Sequence, residues 1–133
     1  MQITATIPEF DRANKNNRIY PKETAINIVN SINCPDGIYG TIGVPGWHNA
    51  NQLDQISHVV SDAKLDEDTN TVTATITTLN TRQGTILEQL ITAFDPIEQS
   101  PFGFRPTGDG TITDDQNITN YRLISVDAVL NPA

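Results

Sequence analysis

The chain is poor in cysteine, in positive charge and in long apolar runs, and each shortage removes a class of protein. Its 133 residues include one cysteine, Cys34. A lone thiol closes no intrachain disulfide, which excludes a disulfide scaffold and fits synthesis in a reducing cytoplasm. Cys34 precedes Pro35-Asp36-Gly37 and has no basic neighbour or helix start to activate a thiolate, so it is expected to be an inert packing residue. Lysine and arginine number 8 against 16 acidic residues, giving a net charge of −8 and a pI near 4.4. Such a chain repels phosphate backbones, which argues against nucleic acid as a partner. No apolar run approaches the roughly 20 residues of a membrane-spanning helix, and no segment reads as a signal peptide. Repeats, low-complexity stretches and linkers are missing as well. Apart from Asp66-Glu67-Asp68 and Asp114-Asp115 the carboxylates are scattered, so they read as solvated surface, with no metal or other cofactor implied.

What is present suits one folded domain, residues 1–133. A chain of this length buries roughly two-thirds of its unfolded surface in a single core. Hydrophobic residues make up 37% and charged residues 18%, and with abundant Thr, Asn and Gln this balance suits a compact, strand-rich fold. From Gln2 to Pro8, Ile3, Ala5 and Ile7 alternate with Thr4 and Thr6, the pattern of a half-buried strand. After the polar loop Asp11 to Asn17, Pro21 suits a first helical position. Ala25, Ile26, Val29 and Ile32 follow at helical spacing until Cys34-Pro35-Asp36-Gly37 stops the helix. A short strand, Ile38 to Ile42, leads to a turn at Gly43-Val44-Pro45-Gly46. Gln55 to Leu65 and Thr71 to Leu79 form a hairpin in which Val72, Ala74 and Ile76 alternate with threonines. Gly84 to Phe94 is an amphipathic helix with Ile86, Leu87, Leu90, Ile91 and Phe94 on one stripe, ended by Asp95-Pro96. Pro101 to Thr107, Gly110 to Thr113 and Ile118 to Leu130 read as strands. This order predicts an α+β fold, a mostly antiparallel bent sheet or barrel with two helices.

Asn16-Asn17-Arg18-Ile19-Tyr20-Pro21-Lys22-Glu23 resembles the N-x-N-x-R-x-Y-P segment leading into the first helix of tailed-phage prohead maturation proteases. These are serine proteases related in fold to herpesvirus assemblin. The resemblance continues in order: Ile56-Ser57-His58-Val59-Val60 and Val72 to Leu79 match the family's hairpin, and Thr81-Arg82-Gln83-Gly84 its turn into the second helix. Tyr121-Arg122-Leu123 and Val126-Asp127-Ala128-Val129 match its closing strand, and Asn131-Pro132-Ala133 its exit. In the family a histidine before proline and a serine on the strand after the second helix do the catalysis. Here Val44 stands before Pro45. In Ser100-Pro101-Phe102-Gly103-Phe104-Arg105-Pro106, the serine position falls on Gly103 or Phe104, or on Pro101 in another register. Valine accepts no proton and none of these residues attacks a carbonyl, so the resemblance implies a pseudoenzyme lacking the Ser/His pair.

Other residues could in principle substitute. His48 lies four residues past Val44, and Ser100 lies one residue from a family-like serine position, so the two are fallback catalytic candidates. We read His48 and Trp47 instead as a surface loop, with Trp47 a contact anchor. His58 reads as a hydrogen-bonded structural histidine, and Asp127 as a partly buried carboxylate that pairs with Arg105 or Arg122. Phe102 and Phe104 share one face of a strand and fit a core; exposed, they would join Trp47 as interface candidates. The resemblance implies a structural protein of a tailed-phage head, a decoration or cement protein made in the host cytoplasm and carried in the virion. Its partners would be the major capsid protein and further copies of itself, as dimer or trimer. Two alternatives stay open: an assembly regulator or inhibitor that binds the active prohead protease, and an active serine protease with a shifted site.

Overall fold

Alternation and turn chemistry place most elements where the sequence predicts them. The computed structural model describes residues 1–34, 37–43 and 53–132. In chain order the elements are β1 (Gln2–Glu9), α1 (Lys22–Asn33), β2 (Ile38–Thr41), β3 (Ile56–Asp66), β4 (Thr71–Thr78), α2 (Arg82–Ala93), β5 (Phe102–Ile112) and β6 (Ile118–Leu130). Short 3-10 turns at Leu53–Gln55 and Ile97–Gln99 precede β3 and β5. Strands β1-β4-β3-β2 form one antiparallel sheet and β5-β6 a second. A parallel bridge from Ile42 to Ala128 joins them, reinforced by the Gly43 N–H donating to the Ala128 carbonyl at 2.7 Å. The strands therefore run β1-β4-β3-β2-β6-β5 around a bent, barrel-like layer. β5 comes back beside β1 without pairing to it. This is the predicted α+β architecture of antiparallel strands and two helices.

The core follows the periodicities. In β4, Val72, Ala74 and Ile76 are buried while the threonines between them are half-buried. Helix α1 buries Ala25, Ile28 and Ile32 against β3 and β6, and α2 buries Leu87 and Ile91 against β3 and β4. Ile26 and Ile86, placed on the apolar stripes by spacing, instead face solvent. Pro21 is the N-cap of α1 and not its first residue. Its side chain cannot accept a hydrogen bond, so the cap comes from a distance: Asp11 Oδ1 accepts from the Lys22 N–H at 3.0 Å. Thr81 caps α2 locally, accepting from the Gly84 N–H at 3.0 Å.

Three strands carry irregularities, each with a local cause. Pro8, which has no N–H to offer, sits where the β1–β4 register shifts between Thr6 and Glu9. In β3 the register shifts between Ser61 and Lys64, around Asp62 in the left-handed region at φ 50°. The bulge leaves the Ala63 backbone without strand partners, and the Asn33 amide at the end of α1 takes both: it accepts from the Ala63 N–H and donates to the Ala63 carbonyl, each at 2.9 Å. The two strands expected over Pro101 to Thr107 and Gly110 to Thr113 are one, β5, with register shifts at Thr107/Gly108 and Asp109/Thr111. The extra residue at each shift lies on the partner strand β6, where Asn120 takes φ 51°, so β5 runs through its glycines opposite the bulges. Asp66-Glu67-Asp68 is the β3–β4 turn: Asp66 Oδ1 accepts from the Asp68 N–H at 2.9 Å, and Glu67 forms an ion pair with Lys22.

Candidate functional site

The unpaired seam between β1 and β5 opens as a groove of about 630 Å³, lined by Thr4 and Thr6 on one side and by Ser100, Gly103 and Phe104 on the other. Of the positions that the resemblance gives to a nucleophile, Gly103 and Phe104 line this groove, and Pro101 does not. Val44, Trp47 and His48 lie outside the described residues. Ser100 Oγ is engaged with backbone: it contacts the Ile97 carbonyl at 2.9 Å and the Phe102 carbonyl at 3.3 Å, and accepts from the Phe102 N–H at 3.2 Å. These bonds fix the turn from the 3-10 segment into β5. Gly103 lies under the C-terminal proline; a Cβ there would stand 2.9 Å from Pro132 Cγ. A serine at position 103 would therefore need Pro132 to move.

Phe102 and Phe104 take the core position and not the exposed one. They are 4% and 1% exposed. Phe102 stacks on Phe94 with ring centroids 5.5 Å apart, and Phe104 meets the His58 ring edge-on at 5.5 Å. The bend of the barrel folds this face of β5 over the core, so alternation exposes neither ring. The most exposed large apolar side chains among the described residues lie elsewhere, at Leu53, Leu130 and Tyr39. Cys34 is also corrected. It is exposed at the C-terminal end of α1, where its N–H donates to the Asn30 carbonyl, and it packs into no core.

Beneath the groove lies a buried polar cluster at the junction of β2, β3 and β6. Ser57 and His58 are both fully buried. His58 Nε2 lies 2.7 Å from the Val126 carbonyl oxygen. A carbonyl only accepts, so Nε2 carries the proton and Nδ1 is the acceptor. Nδ1 takes the hydroxyl proton of Ser57 at 2.7 Å. In an open cleft this contact would activate a serine; sealed from solvent it holds the ring so that the His58–Val126 bond forms a strut between β3 and β6. Gly40 of β2 makes the strut possible, because a Cβ there would come within 1.9 Å of the Val126 oxygen and 2.3 Å of His58 Nε2. The sequence reading of His58 as structural matches this geometry.

Asp127 is fully buried and pairs with neither arginine. Arg122 reaches Asp109 at the surface at 3.5 Å, and Arg105, although opposite Asp127 in the ladder, forms no ion pair among the described residues. The Asp127 carboxylate instead accepts four hydrogen bonds. Oδ1 takes the Thr41 N–H at 2.9 Å and the Thr41 hydroxyl at 3.1 Å; Oδ2 takes the hydroxyls of Thr107 at 2.5 Å and Ser125 at 2.8 Å. Three small hydroxyl residues scattered over three strands leave no sequence signal, so this knot appears only once the strands are in register.

His58 should make stability depend on pH. Burial pushes its pKa below the ordinary imidazole value of 6.5, opposed by its hydrogen bond to Val126 and by the charge of Asp127. As pH falls through 6.5 the unfolded chain gains a proton that the folded chain does not. The contribution is therefore complete above that value and is lost as pH falls from it toward the lower folded pKa. Urea midpoints at about pH 7.5 and about pH 5.5 check this. The wild-type midpoint is expected to fall on acidification and that of His58→Gln to stay level between the two. Equal wild-type midpoints would mean that the buried ring charges as readily as a free one.

No family model matches the chain, and no curated protein matches it. Among solved structures it is similar to the bacteriophage T4 capsid assembly protease gp21, with a TM-score of 0.76 and 22% sequence identity, over 96% of this chain and 80% of that one. The chain thus has the fold of that protease.

Proposed function

We propose that this chain is a non-enzymatic structural protein of a tailed-phage head, a decoration or cement protein built on a degenerate prohead protease fold. The observation that carries this reading is the strand β5 in a fold shared with a capsid assembly protease. Where that fold's resemblance calls for a nucleophile, β5 offers Gly103 beneath Pro132 and the buried ring of Phe104. The neighbouring hydroxyl, Ser100, is hydrogen-bonded into a turn, and His58 is locked in the interior with both ring nitrogens occupied. Acyl transfer needs a serine whose proton passes to an accessible imidazole, and neither group offers that arrangement. A cement protein acts by burying area across neighbouring capsid subunits, which requires a rigid body and no turnover.

A second reading, an assembly regulator that binds the active protease or its substrates, is favoured by the groove between β1 and β5. Two unpaired strand edges flank it, and an extended peptide adds to such edges through its backbone. Quantitative mass spectrometry of purified mature particles, scaled to the major capsid protein, separates the two. A copy number comparable with that of the capsid protein is expected. Near absence from mature heads, with capture of the protease in a pull-down, would replace the first reading by the second. Cleavage of capsid protein that Ser100→Ala abolishes would overturn both.

A further inference from the structure

Farther along β5 from the groove, a cavity of about 230 Å³ lies between the Asn14–Tyr20 loop and the β5–β6 hairpin. Arg18, Tyr20, Arg105 and Tyr121 line it. The loop forms a fixed wall. Asn14 Oδ1 accepts from the N–H groups of Asn16 at 2.9 Å and Arg18 at 3.1 Å. Ile19 is stitched to the hairpin by its N–H to the Gln116 carbonyl and its carbonyl to the Ile118 N–H, both at 2.8 Å. The opposite wall is the Tyr121 ring, which meets Tyr20 edge-on with centroids 5.9 Å apart. It fits there because position 108 is glycine: a Cβ would stand 2.8 Å from Tyr121 Cζ and 2.9 Å from its hydroxyl oxygen.

Two guanidinium groups, Arg18 and Arg105, converge on this cavity in a chain whose net charge is −8. Arg12, Lys22 and Arg122 each pair with a surface carboxylate; Arg18 and Arg105, like Lys15, Lys64 and Arg82, enter no ion pair among the described residues, but only these two share a cavity. The Nε of Arg105 is moreover buried and has no hydrogen-bond partner. A buried guanidinium N–H without an acceptor is costly and calls for one. Arg105 lies close enough to Tyr20 and Tyr121 for its charge to act on both hydroxyls. Burial nevertheless pushes both phenols above their ordinary pKa, so both stay protonated; a hydrogen bond between the two hydroxyls uses one proton and leaves the other to donate. Asp109 bears on Tyr121 from the rim, where Arg122 holds it. Arg122 neutralises Asp109, so the guanidinium charges of Arg18 and Arg105 remain to attract an anion. Planar guanidinium forks match the planar carboxylate.

We propose that this cavity is a carboxylate-binding site that takes an acidic side chain or a chain terminus of a partner polypeptide. It stands apart from the reading above, since none of Ser100, Gly103, Phe104, His58 or Asp127 takes part. The Nε–Hε correlation of Arg105 in a nitrogen-15 NMR spectrum tests it directly. Three probes are titrated: N-acetylglutamate amide, N-acetylalanine and inorganic phosphate. A saturable shift of the Arg105 signal is expected with at least one carboxylate probe. Arg18→Gln, an exposed loop position with little effect expected on folding, should weaken that binding about tenfold while leaving the melting temperature unchanged. The tighter of the two carboxylates identifies a side chain or a terminus as the source. Absence of a saturable shift with both, or tighter binding of phosphate than of either, would overturn the assignment.

Discussion

Gly40→Ala is expected to destabilise the protein by about 3–5 kcal/mol, a large part of the ~5–15 kcal/mol that holds a domain together. The added methyl carbon would sit 1.9 Å from the Val126 carbonyl oxygen and 2.3 Å from His58 Nε2. Neither can yield. The carbonyl belongs to a strand held in the β5–β6 ladder, and the imidazole is pinned at both nitrogens. β2 would have to withdraw from β6, and the bonds from Thr41 to Asp127 and from His58 to Val126 would stretch or break with it. Overpacking alone costs about 1–3 kcal/mol, and each buried hydrogen bond lost adds about 1 kcal/mol. Thermal denaturation checks this: a fall in Tm of about 10 °C or more is expected. A wild-type Tm would show that the junction of the two sheets is far more plastic than its contacts indicate.

Asp127→Ala is the second large effect, expected at about 3 kcal/mol or more. Removing the carboxylate leaves the Thr41 N–H and the hydroxyls of Thr107 and Ser125 without their acceptor, while the Thr41 hydroxyl keeps the Gly43 carbonyl at 2.9 Å. Hydroxyls can rotate toward other partners; a backbone N–H in a strand cannot. Asp127→Asn keeps the shape and one acceptor oxygen for Thr41, while its amide hydrogens face hydroxyls that can turn to accept. Its cost should be about 1–2 kcal/mol. Urea midpoints of the two variants, measured with unchanged slopes, give the comparison. An Asn variant as damaged as the Ala variant would assign the role of Asp127 to its charge and not to the number of bonds it accepts.

The elements that rest on local patterning were legible in the sequence. Alternating Val72, Ala74 and Ile76 specified β4, and the helical spacing of Leu87, Leu90 and Ile91 specified α2. Prolines and glycines were less readable, because they act through context. Pro21 caps a helix with help from Asp11, and Gly108 and Gly110 continue β5 opposite bulges in β6 without ending it. Side chains whose partners lie far along the chain were not readable at all. Asp127 faced two plausible arginines in sequence, yet 86 residues separate it from Thr41, its nearest donor in space from another sheet. The same holds for the cavity. Arg18 and Tyr20 drew notice as part of a resemblance, but nothing in their own neighbourhood pointed to Arg105 or Tyr121. Phe102 and Phe104 had the spacing of a shared face; which way the face turned depended on how the barrel bends.

The Asn33–Ala63 tie has a consequence for local stability. The Ala63 amide hydrogen belongs to β3 in sequence, but a side chain of α1 holds it in place of a neighbouring strand. Undocking the end of α1 releases that hydrogen while the β3–β4 ladder stays closed. One position in the middle of a strand therefore shares the opening free energy of the helix, and the cooperative unit to which α1 belongs extends by that residue into the sheet.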